Sequence, residues 1–119
     1  MKPGIANIRP NVGIYASEDQ ALQGLVERLV TALDPQAIWL FGSRARGDHR
    51  PDSDFDLLVV AKPGAEWNED FDAAYKPTME TGVACDIIPY DPEIFEVAQA
   101  LNTSFATRVV SEGRQVFGP

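Results

Sequence analysis

Residues 38–60 read Ile-Trp-Leu-Phe-Gly-Ser-Arg-Ala-Arg-Gly-Asp-His-Arg-Pro-Asp-Ser-Asp-Phe-Asp-Leu-Leu-Val-Val, and this stretch decides the fold. It contains two apolar runs, which are separated by a polar segment rich in arginine and aspartate. Residues 37–41 are short, apolar and bounded by a proline and a glycine, so they predict a buried β-strand. Residues 54–60 predict a second strand, and residues 42–53 predict the loop between the two.

The second and third predicted strands both carry acidic side chains. Successive side chains of a strand point to opposite faces, so we expect Asp54, Asp56 and Leu58 to share one face of the second strand. A third strand is predicted at residues 83–88, where Asp86 interrupts the apolar run Val-Ala-Cys-Asp-Ile-Ile. If these two strands pair, Asp86 can reach the other two aspartates.

Helical patterns precede and follow the second strand. Ser17 and Gln20 form a capping box, and apolar residues then follow one helical face until Asp34, which precedes a proline. The residue before a proline is pushed out of the α region, so this helix ends there. Residues 66–80 show weaker helical spacing, which Pro77 must end or kink.

The C-terminal third of the chain predicts two more helices. Asp91 is followed by a proline and a glutamate, a strong helix start. A last helix is expected at residues 104–112, closed by Gly113, and residues 116–117 form either an edge strand or a packed tail. The order of elements predicts an α/β (α+β) domain, in which a small mixed β-sheet is flanked by helices on one side.

Length and charge narrow the possible functions. The chain has 119 residues, enough for one domain, which we place at residues 15–119 behind a loose N-terminal arm at residues 1–14. Ten basic and eighteen acidic residues give a net charge of −8, so direct nucleic-acid binding is not expected. No apolar run is long enough for a membrane helix, and residues 1–15 lack the apolar core of a signal peptide. A single cysteine favours a reducing, cytoplasmic compartment.

The loop after the first strand has the composition of a phosphate-binding turn. Gly42 allows the backbone to approach a ligand closely, and the Ser43 hydroxyl can donate a hydrogen bond to a phosphate. Arg44 and Arg46 can offer forked N–H donors to phosphate oxygens. The loop therefore predicts a nucleotide-binding site at these four residues.

The three aspartates have the chemistry of a magnesium site. Two carboxylates on one strand face repel each other unless a cation lies between them. Mg²⁺ prefers oxygen ligands, and it binds through a few carboxylates together with substrate phosphates. Asp54, Asp56 and Asp86 would then hold two metal ions, which activate an attacking hydroxyl and stabilise a leaving pyrophosphate.

Each of these features has a plainer interpretation when taken alone. A Gly-Ser pair occurs in ordinary turns, an Asp-x-Asp entry is often solvated, and a strand aspartate can be a satisfied structural acid. Two rival motifs fail on particular residues. Asp48 and His49 stand where a P-loop needs Lys and Ser or Thr, and Leu57 stands where an EF-hand needs Gly.

The run Gly42-Ser43-Arg44-Ala45-Arg46-Gly47-Asp48, followed by Ser53-Asp54-Phe55-Asp56-Leu57-Leu58-Val59, resembles the DNA polymerase β-like nucleotidyltransferases. The resemblance is strongest to the minimal nucleotidyltransferases, in which Gly-Ser is followed, after ten residues, by Asp-x-Asp. It covers residues 38–60, and the strand with Asp86 extends it. All three acids are present.

This resemblance implies a fold, a reaction and a partner. The fold would be that of a nucleotidyltransferase, with Gly42 and Ser43 at the triphosphate of ATP. Asp54 and Asp56 would hold both Mg²⁺ ions, and Asp86 would complete the catalytic metal site and help deprotonate the acceptor. Minimal members pair as antitoxins with helical HEPN-domain toxins, and some transfer AMP from ATP to a tyrosine of the toxin.

Two functional hypotheses follow from the sequence. The first is a magnesium-dependent enzyme that transfers AMP to a tyrosine hydroxyl of a HEPN-type toxin, which makes it an antitoxin by chemistry. The alternative is a non-catalytic, nucleotide-binding antitoxin that neutralises its toxin by covering it. The intact aspartates favour the first hypothesis.

Overall fold

A computed structural model of the protein describes residues 9–102 and 104–119, so residues 1–8 of the expected N-terminal arm lie outside the described part. In chain order the elements are α1 Glu18–Leu33, β1 Ala37–Phe41, α2 Ser43–Arg46, β2 Phe55–Val60, α3 Phe71–Tyr75, β3 Cys85–Tyr90, α4 Pro92–Leu101, α5 Phe105–Glu112 and β4 Arg114–Phe117. A single 3-10 turn, Lys76–Thr78, follows α3.

The strands form one mixed sheet in the order β3-β2-β1-β4. Strand β1 pairs antiparallel with β2 on one side and with β4 on the other, whereas β2 and β3 pair parallel. The predicted fold class is therefore confirmed, and the C-terminal residues form an edge strand rather than a loose tail. The parallel pairing brings the N-terminal ends of β2 and β3 to the same edge of the sheet.

Helix α1 forms where the sequence predicted it. The Ser17 side chain accepts a hydrogen bond from the backbone N–H of Gln20 at 3.1 Å, and this N-cap satisfies one of the donors that a helix start leaves unpaired. Leu25 and Leu29 are fully buried against the sheet. The helix ends at Asp34, which adopts a left-handed conformation with φ 47° ahead of the proline.

Helices cover both faces of the sheet, so the expectation of a one-sided layer is wrong. Leu25 of α1 packs with Leu57 of β2 in one core cluster, on one face. Phe95 of α4 and Val109 of α5 pack with Leu58 of β2 in a second cluster, on the other face. The reason lies in β2, because its consecutive leucines point to opposite faces and both need to be buried.

Strand β3 lies two residues further along the chain than expected. It spans Cys85–Tyr90 and includes Pro89, whereas the sequence predicts a strand at residues 83–88. Proline cannot donate a ladder hydrogen bond, but β3 is an edge strand and its outer side needs no donor. The shift leaves Asp86 as the second residue of the strand.

Two further features complete the fold. Gly113 follows α5 as predicted, but its φ is −93°, so it is not a left-handed cap. A Cβ at this position would overlap the carbonyl oxygens of Val109 and Leu40, so glycine is needed there for the close approach of the backbones. Across residues 9–102 and 104–119, no helix combines the length and the apolar character needed to cross a membrane.

Candidate functional site

The sheet brings the acidic residues and the Gly-Ser turn to one edge. Asp56 lies opposite Phe41, the last residue of β1, and directly opposite Asp86 in the parallel pair. Residues in register on neighbouring strands point to the same face, so the Asp56 and Asp86 side chains project side by side. Asp54 immediately precedes β2 and is exposed at the same edge.

Gly42 is pressed against Asp56. The chain leaves β1 at Gly42 with φ 75° and ψ −158°, a conformation that favours glycine. A Cβ at this position would overlap the Oδ2 atom of Asp56. The Gly42 carbonyl accepts hydrogen bonds from the N–H groups of Ala45 and Arg46, both at 3.1 Å, and so begins the single turn α2. Half-buried Ser43 therefore follows directly after the glycine that contacts Asp56.

The electrostatics of this edge favour a bound cation. Burial is the main cause that raises the pKa of Asp56 above its usual range, and the nearby carboxylates of Asp86 and Asp54 raise it further. The Arg46 guanidinium acts in the opposite direction. A divalent cation among the three carboxylates would relieve this repulsion.

The donor set fits a metal that is shared with a substrate. Within the described part of the chain, no three His, Cys, Asp or Glu side chains are gathered closely enough to form a complete metal site by themselves. Mg²⁺ does not require such a cage, since it commonly takes one or two carboxylates together with waters and phosphate oxygens. Asp54, Asp56 and Asp86 are oxygen donors of the right kind.

Arg44 is directed into the protein rather than toward a ligand. Its side chain is only 4% exposed, and its guanidinium donates hydrogen bonds to Glu18 Oε1 at 2.8 Å, Ser53 O at 3.0 Å and Pro51 O at 3.0 Å. The guanidinium carbon lies 4.0 Å from the centre of the Phe55 ring. Burial and these three contacts turn the Arg44 guanidinium away from the surface where a phosphate was expected, and they fix the loop that leads to Asp54.

Arg46 differs from Arg44 in its surroundings. It lies on the exposed side of α2, where its Nε atom is 3.2 Å from Oδ2 of Asp48 in an ion pair open to solvent. An exposed pair of this kind contributes little and is easily exchanged for another anion. Arg46 also faces the Asp56 carboxylate closely enough to influence its pKa. Of the two arginines, Arg46 is therefore the one available to a phosphate.

Asn11 is a site-supporting residue that the sequence did not reveal. Its side-chain amide donates to the carbonyl oxygens of Ser53 at 2.9 Å and of Ala84 at 2.8 Å, and its Oδ1 atom accepts from the Ala84 N–H at 2.7 Å. These two residues precede Asp54 and Asp86. Residues 9–14 are thus held to the domain, and Asn11 connects the starts of the two acidic strands.

Comparison with known proteins identifies the family. The pattern that defines the nucleotidyltransferase domain matches residues 22–115. This chain belongs to the nucleotidyltransferase domain family. A relative from Methanocaldococcus jannaschii, named "Putative protein adenylyltransferase", is 31% identical over 103 residues, which are 85% of this chain and 99% of the relative. The match includes the Gly-Ser turn, β2 and β3 of this nucleotidyltransferase.

A solved structure shows the same architecture. A nucleotidyltransferase-type protein from Sulfolobus solfataricus superposes with a TM-score of 0.54 and 23% identity, covering 82% of this chain and 77% of that protein. A toxin–antitoxin structure with AMP-PNP gives a TM-score of 0.49 and 24% identity, covering 80% of this chain and 72% of that one. The first of these supports the fold of this nucleotidyltransferase.

Proposed function

We propose that this nucleotidyltransferase transfers AMP from ATP, with Mg²⁺, to a tyrosine hydroxyl of a HEPN-type toxin and so acts as an antitoxin. The observation that carries the proposal is the pairing of Asp56 with Asp86, with Gly42 of the Gly-Ser turn pressed against Asp56. The name of the Methanocaldococcus relative supports an adenylyl group and a protein acceptor. The HEPN-type partner and the cytoplasmic location rest on the sequence alone.

The proposed reaction is a displacement at the α-phosphorus of ATP. The acceptor oxygen forms a bond to that phosphorus, the bond from phosphorus to the bridging oxygen of the β-phosphate breaks, and pyrophosphate leaves with the bonding electrons. The acceptor loses its hydroxyl proton, and exposed Asp86 is the carboxylate we assign to receive it. The product is a phosphodiester between the acceptor and AMP.

The carboxylates have distinct tasks in this proposal. Asp54 and Asp56 would hold both metal ions, and Asp86 would share the ion next to the acceptor. Magnesium would supply Lewis-acid stabilisation of the phosphate oxygens and a lowered pKa for the bound hydroxyl. The raised pKa of Asp56 is consistent with this arrangement, because burial and then the carboxylates of Asp86 and Asp54 disfavour its ionised form in the absence of a cation.

The turn after β1 would hold the triphosphate. Gly42 lets the ligand approach the backbone, Ser43 offers its hydroxyl, and exposed Arg46 offers a guanidinium. Arg44 is assigned a different task, because its guanidinium is buried and bonded to Glu18 and to two backbone carbonyls. It would position the loop that carries Asp54.

One exposed surface favours a protein-binding function, which would serve either hypothesis. Ile94, Val97 and Leu101 of α4 are spaced as one helical stripe, and they are 49%, 57% and 65% exposed. Exposed apolar surface of this kind often marks a protein contact. We propose this α4 stripe as a contact for the toxin. A non-catalytic antitoxin would need such a contact as well, so the stripe is compatible with that alternative.

Mass spectrometry of a co-expressed partner distinguishes the two functions. The chain is co-expressed with a HEPN-type toxin, and the intact mass of the toxin and the survival of the cells are measured. We expect an added AMP mass and survival with the natural chain, and loss of both with an Asp54→Asn, Asp56→Asn, Asp86→Asn variant. An unmodified toxin and full survival with that variant would instead support the non-catalytic antitoxin.

A further inference from the structure

A cavity adjoins the Gly-Ser turn on the side away from Asp86. It has a volume of about 270 Å³, and its lining includes Phe41, Gly42, Arg46, Phe105, Arg108 and Glu112. Helix α5 forms one wall, and the end of β1 forms the other. The Phe41 and Phe105 rings meet edge to face at 5.4 Å between centres, which holds the start of α5 against the end of β1.

The cavity is cationic in a protein that is strongly acidic. Two arginines line it against one carboxylate, although the whole chain carries a net charge of −8. Arg108 is exposed, and no carboxylate among the described residues lies within ion-pair distance of its guanidinium. Arg46 has only the solvent-exposed pair with Asp48. Both guanidinium groups can therefore bind an anion.

The order of strands places this cavity where a leaving group would go. Asp86 of β3, Asp56 of β2 and Phe41 of β1 stand in a row across the sheet, and the cavity continues that row beyond Gly42. Phosphoryl and nucleotidyl displacements have the attacking and leaving oxygens roughly in line. With the acceptor at Asp86, the pyrophosphate therefore lies at the opposite end, beside Gly42.

We infer that Arg108 of α5 adds a second guanidinium, opposite Arg46, to the site of the β- and γ-phosphates, an inference that rests on the proposed function. A volume of about 270 Å³ suits two phosphate groups, and it is small for a whole nucleotide. Arg108 approaches from α5 and Arg46 from α2, so the polyphosphate is bound between two elements. The subsite selects nucleoside triphosphates over monophosphates, and it leaves the base to a different surface.

Binding measurements on Arg108→Gln test this subsite. Isothermal titration with ATP, inorganic tripolyphosphate and AMP, each with Mg²⁺, gives Kd values for the natural chain and the variant. We expect about a tenfold weaker Kd for ATP and tripolyphosphate, because a charge-assisted contact is lost, and little change for AMP. Arg114→Gln is the matched control, since Arg114 is an exposed arginine that lines a pocket with Asp19 and Leu22 of α1. It should leave all three values unchanged.

Each outcome separates this inference from the proposed function. Equal losses of ATP and AMP affinity in Arg108→Gln would place the nucleoside in the cavity and overturn the polyphosphate assignment. Unchanged affinity for all three ligands would also overturn it, while leaving nucleotide binding by the natural chain intact. If the natural chain binds neither ATP nor tripolyphosphate, the proposed function fails together with the inference.

Discussion

Gly42 and Asp56 touch so closely that no side chain fits between them: a Cβ on Gly42 would overlap the Asp56 carboxylate. This contact connects the turn after β1 to the acidic end of β2. The same carboxylate lies in register with Asp86 on the next strand. The position of the Asp56 carboxylate therefore depends on the absence of a side chain one strand away.

Gly42→Ala is expected to lower the rate of nucleotidyl transfer about a hundredfold while leaving the chain folded. The new methyl group would displace Asp56, and a displacement of about 1 Å at a reacting centre can cost about a hundredfold in rate. Labelling of an acceptor by ATP measures the effect. Gly64→Ala is the matched control, because Gly64 also has a positive φ, of 82°, but open space around its Cβ position. Equal activity in both variants would contradict the proposed contact.

Arg44→Lys is expected to destabilise the fold and to lower the rate of transfer without changing tripolyphosphate affinity. Lysine keeps the charge but cannot reproduce the three forked contacts to Glu18, Ser53 and Pro51. The free energy of unfolding in urea should fall by about 2 kcal/mol. Exposed Arg46→Lys should cost less than about 0.5 kcal/mol. A weakened tripolyphosphate Kd in Arg44→Lys would show that Arg44 binds the ligand directly.

Asp56→Asn is expected to stabilise the metal-free protein while removing its activity. Burial, Asp86 and Asp54 raise the pKa of Asp56 in the folded state, so the folded state holds this proton more tightly than the unfolded chain. Tighter proton binding by Asp56 stabilises the folded state in full when the pH is below the unfolded-state pKa of this carboxyl. That stabilisation is lost as the pH rises through the raised folded-state pKa. At neutral pH the ionised carboxylate therefore opposes folding.

Melting temperatures in EDTA measure this effect of Asp56→Asn. The variant should melt a few degrees higher than the natural chain at pH 7, and the difference should shrink as pH falls below the titration of Asp56. Asp52→Asn removes an exposed loop carboxylate and should leave the melting temperature unchanged. A lower melting temperature for Asp56→Asn at pH 7 would contradict the claim that the ionised Asp56 carboxylate destabilises the metal-free fold.

Val97→Glu is expected to separate partner recognition from nucleotide binding. Val97 is 57% exposed in the middle of the α4 stripe, so a carboxylate there leaves the fold intact but opposes an apolar contact. ATP affinity should stay unchanged, while co-purification of the toxin should fall at least about tenfold. Met79→Glu, at a residue 55% exposed elsewhere on the surface, is the control. Undiminished toxin binding by Val97→Glu would remove the stripe from the interface.

Local signals made most of the fold predictable. The cap at Ser17, the proline after Asp34 and the apolar run of β1 gave boundaries that the structure confirms. The two-sided helical layer was not predicted, because the order of elements does not show on which face of the sheet each helix packs, although Leu57 and Leu58 point to opposite faces. The observed β3 is shifted by two residues from the predicted 83–88, because the strand continues through Pro89, which its edge position makes tolerable.

The candidate site was predictable only as a set of residue types. Sequence spacing identified the acids and the Gly-Ser turn, but it could not distinguish Arg44 from Arg46, since one turn of helix carries both. The structure buries the first and exposes the second. Asn11 left no local signal, because its partners Ser53 and Ala84 are 42 and 73 residues away in sequence.

Transfer of label from ATP to an acceptor tests whether the chain transfers AMP at a site built from the three aspartates. The chain and a HEPN-type acceptor are incubated with Mg²⁺ and ATP labelled either on the α-phosphate or on the γ-phosphate. The acceptor is expected to gain only the α-label, and Asp54→Asn with Asp56→Asn is expected to abolish this gain. Transfer of the γ-label, or undiminished α-labelling by the double variant, would contradict this expectation.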